Sequence, residues 1–426
     1  MIVPRRAEAR VRSLLAESPA VALLGPRQAG KTTLARRIAG AARGHYYDLE
    51  LESERLRLDL EWAERVQARR LVVLDEAQAW PEVFPRLRAA IDADRGRTGR
   101  FLLLGSVSPR LVREISESLA GRLALVELTP FLWGELESAA QRGRLWAVGG
   151  YPDGGVLRPA RFPKWHSDYL DLLCQRDLPN WGLGAPPASI RRLMRMLAAV
   201  HGQTWNVSVL ARSLGIDPKT VSRYVDYLEG AFLVRRLEPF HANVKKRLVK
   251  SPKLYWRDPG LLHALLHLAD PGRLLDQPWV GASFEGFAIE QLLGHLGASG
   301  RPHRAAFLRT SDGREIDLLL DVDDQRWAIE VKLSARPAPQ DMQRLDELAD
   351  WVRADRRILL SRTPSPVEAG ARVSCDLDWL LARLDRLADR PAPAAGERVG
   401  SRASAPRRRA RPPESSRGGR RSREAE

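Results

Sequence analysis

The segment GPRQAGKTT at 25–33 constrains this chain more than any other stretch. It satisfies the pattern GxxxxGK[ST] at every fixed position, directly after the apolar run AVALLG and at the start of a helical pattern. Such a turn is built to wrap an anion. Glycines let successive backbone N–H groups point inward, and the helix N-terminus adds partial positive charge. The N-terminal part must therefore hold a strand, a phosphate loop and a helix in that order. In this reading Gly25, Pro26, Arg27, Gln28, Ala29 and Gly30 form the loop, Lys31 reaches the β- and γ-phosphates of ATP, the Thr32 hydroxyl ligates Mg²⁺, and Thr33 closes the binding stretch.

A loop of this kind needs a carboxylate across the site to hold the metal. LVVLDEAQ supplies one, because four apolar residues carry Asp75 to the carboxyl end of a buried strand, where ligands sit in open α/β sheets. Glu76 follows, placed to orient or deprotonate an attacking water. Both acids also have a structural alternative, capping the helix that comes after the strand. FLLLGSVS ends a third apolar run with Gly105 and Ser106. Ser106 either contacts the γ-phosphate or lytic water or simply shapes a turn. The apolar runs at 20–25, 70–77, 100–107 and 124–131 are continuous rather than alternating, which predicts strands buried on both faces, hence a parallel sheet under helices. SLAGR adds Arg122, which position alone does not select among so many arginines.

Composition narrows the rest. Of 69 basic residues only eight are lysines: 31, 164, 219, 245, 246, 250, 253 and 332. Where a bare positive charge suffices the chain uses Arg, so a surviving Lys marks places that need a slim point charge. The net charge is +16; residues 391–426 hold ten Arg and four Glu, a net +6 that leaves +10 for the body and makes a polyanionic partner plausible. Cys174 and Cys375 stand far apart, which excludes a disulfide scaffold and a cysteine zinc site and makes a reducing cytoplasm the expected compartment. No apolar run approaches the ~18 residues of a membrane span, and the first residues lack the apolar region of a secretory signal, so no membrane partner is expected.

Downstream, GGYPDGG at 149–155 marks a boundary, and a helical pattern runs to about residue 205. The segment 207–240 reads as helix, GIDP turn, helix and a short β-rich stretch, the order of a winged helix-turn-helix. Val221, Tyr224, Val225 and Leu228 fall at helical spacing and face inward, leaving Lys219, Thr220, Ser222 and Arg223 outward where a recognition helix meets bases. A packing or protein-interaction module fits the same pattern. NVKKRLVKSPK at 243–253 holds four of the lysines and suits a nucleic-acid backbone, or equally a solvated face or one that holds an acidic partner. REIDLLLDVDDQRWAIEVKLS reads as a hairpin whose second strand puts Glu330 and Lys332 on one face, with Asp317 on the partner strand. That set matches the D…ExK pattern of restriction-type nucleases: Asp317 and Glu330 hold Mg²⁺ and Lys332 positions the nucleophile or neutralises the phosphate. Glu285 and Glu315 are further acidic ligands in this reading. A solvated Glu–Lys pair is the bland alternative. After residue 390 Pro, Ala, Gly, Ser and Arg dominate, the composition of a disordered basic arm.

Taken in order, GPRQAGKTTL, LVVLDEAQ, LLLGSVS, SLAGR, LTPFLWGE, GGYP, RDL, KSPKLYWRDPGLLHALL and EIDLLL…AIEVKLS resemble a large family of bacterial and archaeal AAA-type ATPases. Its members carry a C-terminal domain of unknown function similar to restriction-endonuclease folds. The resemblance spans about residues 1–385 and implies ATP binding and hydrolysis. It assigns Lys31 and Thr32 to Walker A, Asp75 and Glu76 to Walker B, Ser106 to a sensor position and Arg122 to the arginine of the family's GR pair. If Arg122 acts on a neighbouring subunit's nucleotide, activity requires self-association. The expected architecture is an α/β P-loop NTPase (AAA-type) parallel-sheet domain at 1–150 and a helical connector at 151–205. A winged-helix-like segment follows at 206–240, then an α+β restriction-endonuclease-like domain at 241–388 and a disordered basic tail at 389–426. The expected activity is Mg²⁺-dependent ATP hydrolysis acting on or with nucleic acid. The alternative is a nucleotide-gated protein-interaction switch whose nuclease-like domain is inactive.

Overall fold

Strand β1 (Ala20–Gly25) is buried along its whole length in the computed structural model, which describes residues 3–106, 119–240 and 248–388. A strand with no exposed face must lie inside a sheet covered on both sides. β1 runs parallel between β4 (Phe101–Ser106) and β5 (Leu123–Glu127), and the sheet continues through β3 (Val72–Asp75) to β2 (His45–Asp48), in the order β2-β3-β4-β1-β5. Successive residues of each strand point to opposite layers. Val21, Leu23 and Val73 meet Val11 and Leu14 of α1 (Ala7–Glu17) and Leu34 and Ile38 of α2 (Lys31–Ala41). Ala22, Val72 and Leu74 meet Leu58 of α3 (Glu52–Gln67) and Phe84, Leu87 and Ile91 of α4 (Val83–Ala93). The expected parallel sheet is therefore present. β2 was not legible in advance, because HYYD is a short, half-buried edge strand without a continuous apolar run.

The middle of the chain is helical: α5 (Ala139–Val148), α6 (Lys164–Leu172), a π-helical turn at Leu173–Asp177, α7 (Pro187–Ala199), α8 (Val207–Leu214) and α9 (Pro218–Gly230). Asn206 caps α8, whose end is set by Gly215 at φ 71°, a conformation that favours glycine. Asp217 caps α9, and Pro218 occupies its first turn. Strand β6 (Val234–Leu237) then pairs antiparallel with β7 (Lys253–Trp256), and α10 (Pro259–Leu265) follows. Leu254, Trp256, Leu261 and Leu262 share one core with Leu193, Leu197, Val221, Val225 and Leu228. This middle core thus reaches past residue 240 to α10, because β6 finds its strand partner beyond that point.

The last part opens with α11 (Val280–Ala298), buried nearly all round. A mixed sheet follows, built from β8 (His303–Arg309), β9 (Glu315–Val322), β10 (Gln325–Val331), β11 (Arg356–Leu360), β12 (Val367–Ala369) and β13 (Arg372–Cys375), in the order β12-β13-β11-β10-β9-β8. β8, β9 and β10 form an antiparallel meander, and β10 and β11 run parallel across α12 (Pro339–Trp351). Leu345, Leu348 and Ala349 of α12 cover Leu308, Ile316, Leu319 and Ala328. The last described helix is α13 (Leu377–Ala388). Lys245, Lys246 and Arg247 of the basic strip and the tail at 389–426 lie outside the described residues. Among the described residues no helix is long and apolar enough to cross a membrane.

Candidate nucleotide site and carboxylate cluster

The loop between β1 and α2 takes its shape from two glycines. A Cβ on Gly25 would sit 2.2 Å from the Leu128 carbonyl oxygen, and Gly30 has φ +98°. Lys31 opens α2, is 6% exposed, and donates to the Gly25 carbonyl at 3.0 Å and the Pro26 carbonyl at 2.8 Å. Burial pushes its pKa down to about 8, against the opposing pull of Glu76 and Asp75. One residue on, the Thr32 hydroxyl donates to the Asp75 carboxylate at 2.7 Å. The same carboxylate accepts from the Tyr46 hydroxyl at 2.6 Å and from the Glu76 backbone N–H at 3.0 Å. A hydroxyl and a carboxylate held side by side at a strand end form a hard-oxygen pair, the donor set Mg²⁺ takes.

A cavity of about 460 Å³ opens over this loop, lined by Arg27–Leu34 together with Glu76, Arg5, Phe131, Tyr169 and Arg176. Glu76 sits in the left-handed region at φ 48° and accepts from the Gln78 amide. β4 lies between β1 and β3, so Ser106 ends its strand in register with Gly25, flanked by the two strands that carry the loop and Asp75. Arg122 does not line this cavity; its guanidinium makes two 2.9 Å hydrogen bonds to Asp92 of α4.

Three residues at this site were not among the expected site residues. Arg5 is 8% exposed and donates to the Ala29 carbonyl at 2.7 Å, the Thr129 carbonyl at 2.6 Å and Glu135 at 3.1 Å, fastening the phosphate loop to the segment after β5. Asp177, from the π-helical turn, forms an ion pair with Arg27. Tyr46 comes from β2, the strand that the apolar runs do not reveal. Only Asp177 had a flag, as part of the RDL motif.

A second polar centre forms where β9 and β10 meet α11. Asp317, Glu315 and Glu285 gather so that one carboxylate oxygen of each lies within 4.8 Å of the others. Glu330 is not one of the three; its Oε1 accepts from the Lys332 ammonium at 2.5 Å. The hairpin register sets Ile329 opposite Leu318, which leaves Asp317 and Glu330 at the open end of the pair, and Asp317 accepts from the Val331 N–H at 2.8 Å. Burial raises the Asp317 pKa, reinforced by Glu285 and Glu330.

For Lys253 the structure favours one of the three readings of the basic strip, a face that holds acidic partners. Lys253 is 2% exposed, so it is no surface contact for a polyanion. Its ammonium lies 2.8 Å from Glu285, in contact with Glu315 and 3.8 Å from Asp317. Lys250 is exposed, as are Lys219 and Arg223 on α9, whereas Val221, Tyr224, Val225 and Leu228 bury as their spacing predicts. Thr220, half-buried, turns its hydroxyl to Asp217 at 2.6 Å and so adds to the helix cap.

Comparison with known proteins gives three family matches along the chain. Residues 17–137 match a family described as AAA domain, 140–272 match a domain of unknown function (DUF8612), and 280–376 match another (DUF4143). The chain is 40% identical over 340 residues to uncharacterised proteins of Mycobacterium tuberculosis (Rv2008c) and Mycobacterium bovis (Mb2031c), covering 79% of this chain and 76% of each relative. Among solved structures, the Walker-type ATPase paby2304 of Pyrococcus abyssi has a TM-score of 0.43 at 15% identity, over 62% of this chain and 96% of that one. A RuvB variant of Thermotoga maritima has a TM-score of 0.28 at 19% identity, over 54% and 88%.

Proposed function

Because the chain belongs to the family of these mycobacterial proteins, with an AAA-type ATPase domain at its N-terminal end, we propose that it binds and hydrolyses ATP with Mg²⁺. The observation that carries this reading is the Thr32 hydroxyl bonded to the Asp75 carboxylate at 2.7 Å beside a buried Lys31. Those two oxygens would hold the metal, which would supply positive charge to offset that of the phosphates. Lys31 turns from the Gly25 and Pro26 carbonyls to the phosphates, exchanging two neutral acceptors for charged ones. The backbone N–H groups from Arg27 to Gly30 cradle the phosphate chain. Glu76, on the cavity wall, orients the lytic water and takes its proton. Lys31→Ala is expected to weaken nucleotide binding, and Glu76→Gln to keep binding while slowing turnover by about 10²-fold or more. Unchanged turnover in purified Lys31→Ala protein would sink the reading.

The same proposal has the protein act on or with nucleic acid. In its support, the α8–α9 pair is followed by the two-stranded β6–β7 ribbon, the layout of a winged helix, with Lys219 and Arg223 exposed on α9. The order α11, β8–β9–β10 meander, α12, parallel β11 supports a restriction-endonuclease-like C-terminal domain with Asp317, Glu330 and Lys332 at its centre. The rival reading, a nucleotide-gated switch whose nuclease-like part only binds, is favoured by one observation: a lysine ammonium sits among the acidic ligands.

A further inference from the structure

We propose that the Lys253 ammonium is the resident cation of the carboxylate cluster, standing where a divalent metal would sit and keeping metal out while β7 is docked; this rests on the nuclease-like reading of the C-terminal domain. Lys253 starts β7, and side chains along a strand alternate between faces. Leu254 and Trp256 enter the middle core. Lys253 and Tyr255 point the other way, and both bond the same Glu285 oxygen, at 2.8 and 2.5 Å. Arg257, the next residue on that side, donates to Glu290, five residues further along α11, at 3.0 Å. One face of β7 is thus fastened to carboxylates of α11, and the position of the ammonium is fixed by the strand rather than by a mobile side chain.

The carboxylates around it are met by side-chain cations. Four carboxylates (Glu285, Glu315, Asp317 and Glu330) face three cations: Lys253, Lys332 at 2.5 Å from Glu330, and Arg309 at 3.1 Å from Glu315. A buried cation with three acidic neighbours is retained, and a divalent ion can enter only by displacing it.

The test uses the full chain without nucleotide, with Mn²⁺ as the probe. Mn²⁺ bound per chain is read by electron paramagnetic resonance for wild type, Lys253→Met, and Lys253→Met with Asp317→Asn. The expected result is one additional Mn²⁺ in Lys253→Met, at least tenfold tighter than at the same cluster in wild type, and lost in the double variant. A wild-type Mn²⁺ site of equal affinity that Asp317→Asn abolishes would overturn the proposal. So would a folded Lys253→Met protein that gains no metal. Should Lys253→Met fail to fold, the wild-type protein gives the answer by amine acylation and mass spectrometry, made readable by the presence of only eight lysines. Lys253 is expected to stay unmodified with and without Mn²⁺ while Lys164 and Lys219 react; Mn²⁺-induced reactivity at Lys253 would mean that metal displaces it readily, against the proposal. DNA cleavage by Lys253→Met in Mn²⁺ decides a separate matter. A variant that binds Mn²⁺ without cleaving leaves the lysine assignment standing and removes the nuclease reading.

Discussion

The six lysines among the described residues separate into two kinds. Lys31 and Lys253 are buried among oxygen acceptors, and Lys332 is half-buried on Glu330, whereas Lys164, Lys219 and Lys250 are exposed. A chain that places Arg almost everywhere keeps Lys where a single point charge must fit a narrow space. For Lys31 the narrow space has a measurable consequence. Its pKa is lowered to about 8 by burial, so near pH 9 most of the free protein carries a neutral amine. Phosphates within reach favour the ammonium and raise that pKa. ATP binding is therefore expected to take up close to one proton near pH 9 and almost none at pH 7, where Lys31 is already charged in both states. By the same linkage, affinity falls as pH rises above about 8, by up to about tenfold per unit. Calorimetry in buffers of different ionisation heat reads the proton count directly; equal uptake at both pH values would show that Lys31 does not respond to the phosphates.

At the scale of elements, α9 presents two exposed basic side chains, Lys219 and Arg223, outside its packed face. Its inward residues are spent on the middle core and Thr220 on the cap, which leaves Lys219 and Arg223 free for phosphate contacts. If α9 meets a nucleic-acid backbone, Lys219→Gln with Arg223→Gln should weaken binding of all sequences and flatten the plot of log K against log salt by roughly 0.9 per lost contact on duplex DNA. An unchanged slope assigns the helix to protein packing. The contrast between α9 and β7 also explains what could be read in advance. Helical spacing alone sorts Val221, Tyr224, Val225 and Leu228 from Lys219 and Arg223, because the helix makes its own periodicity. The phosphate loop and Asp75 are legible for the same reason, as a turn and a strand end fix them locally. Lys253, Tyr46 and Arg5 are not, since each acquires its partners from a distant segment: α11 and β9 for Lys253, β3 for Tyr46, and the loop after β5 for Arg5. The lysine-rich strip looks solvated until β7 docks on α11 and takes one of its lysines inside.

At the scale of the whole molecule, Arg122 poses the question of how many chains make one active site. In a single chain it is clasped by Asp92 and does not line the nucleotide cavity, so within one subunit it has no route to the γ-phosphate as folded here. Either the clasp is its purpose, or it is released to reach a neighbour's nucleotide, as the arginine of the GR pair would. These alternatives differ in a mixing experiment. Lys31→Ala destroys a subunit's own phosphate site but keeps its Arg122, and Arg122→Ala does the reverse. If Arg122 acts between subunits, each variant is inactive alone, and their mixture regains activity, because an intact site in one subunit receives an intact arginine from the other. The regained turnover should grow with total protein concentration, as assembly by mass action requires. If Arg122 is only the partner of Asp92, the Arg122→Ala protein keeps its turnover, Asp92→Asn behaves the same way, and mixing adds nothing. A mixture that stays inactive, from two variants each inactive alone and each folded, would place the arginine's effect within its own subunit and remove the need for self-association.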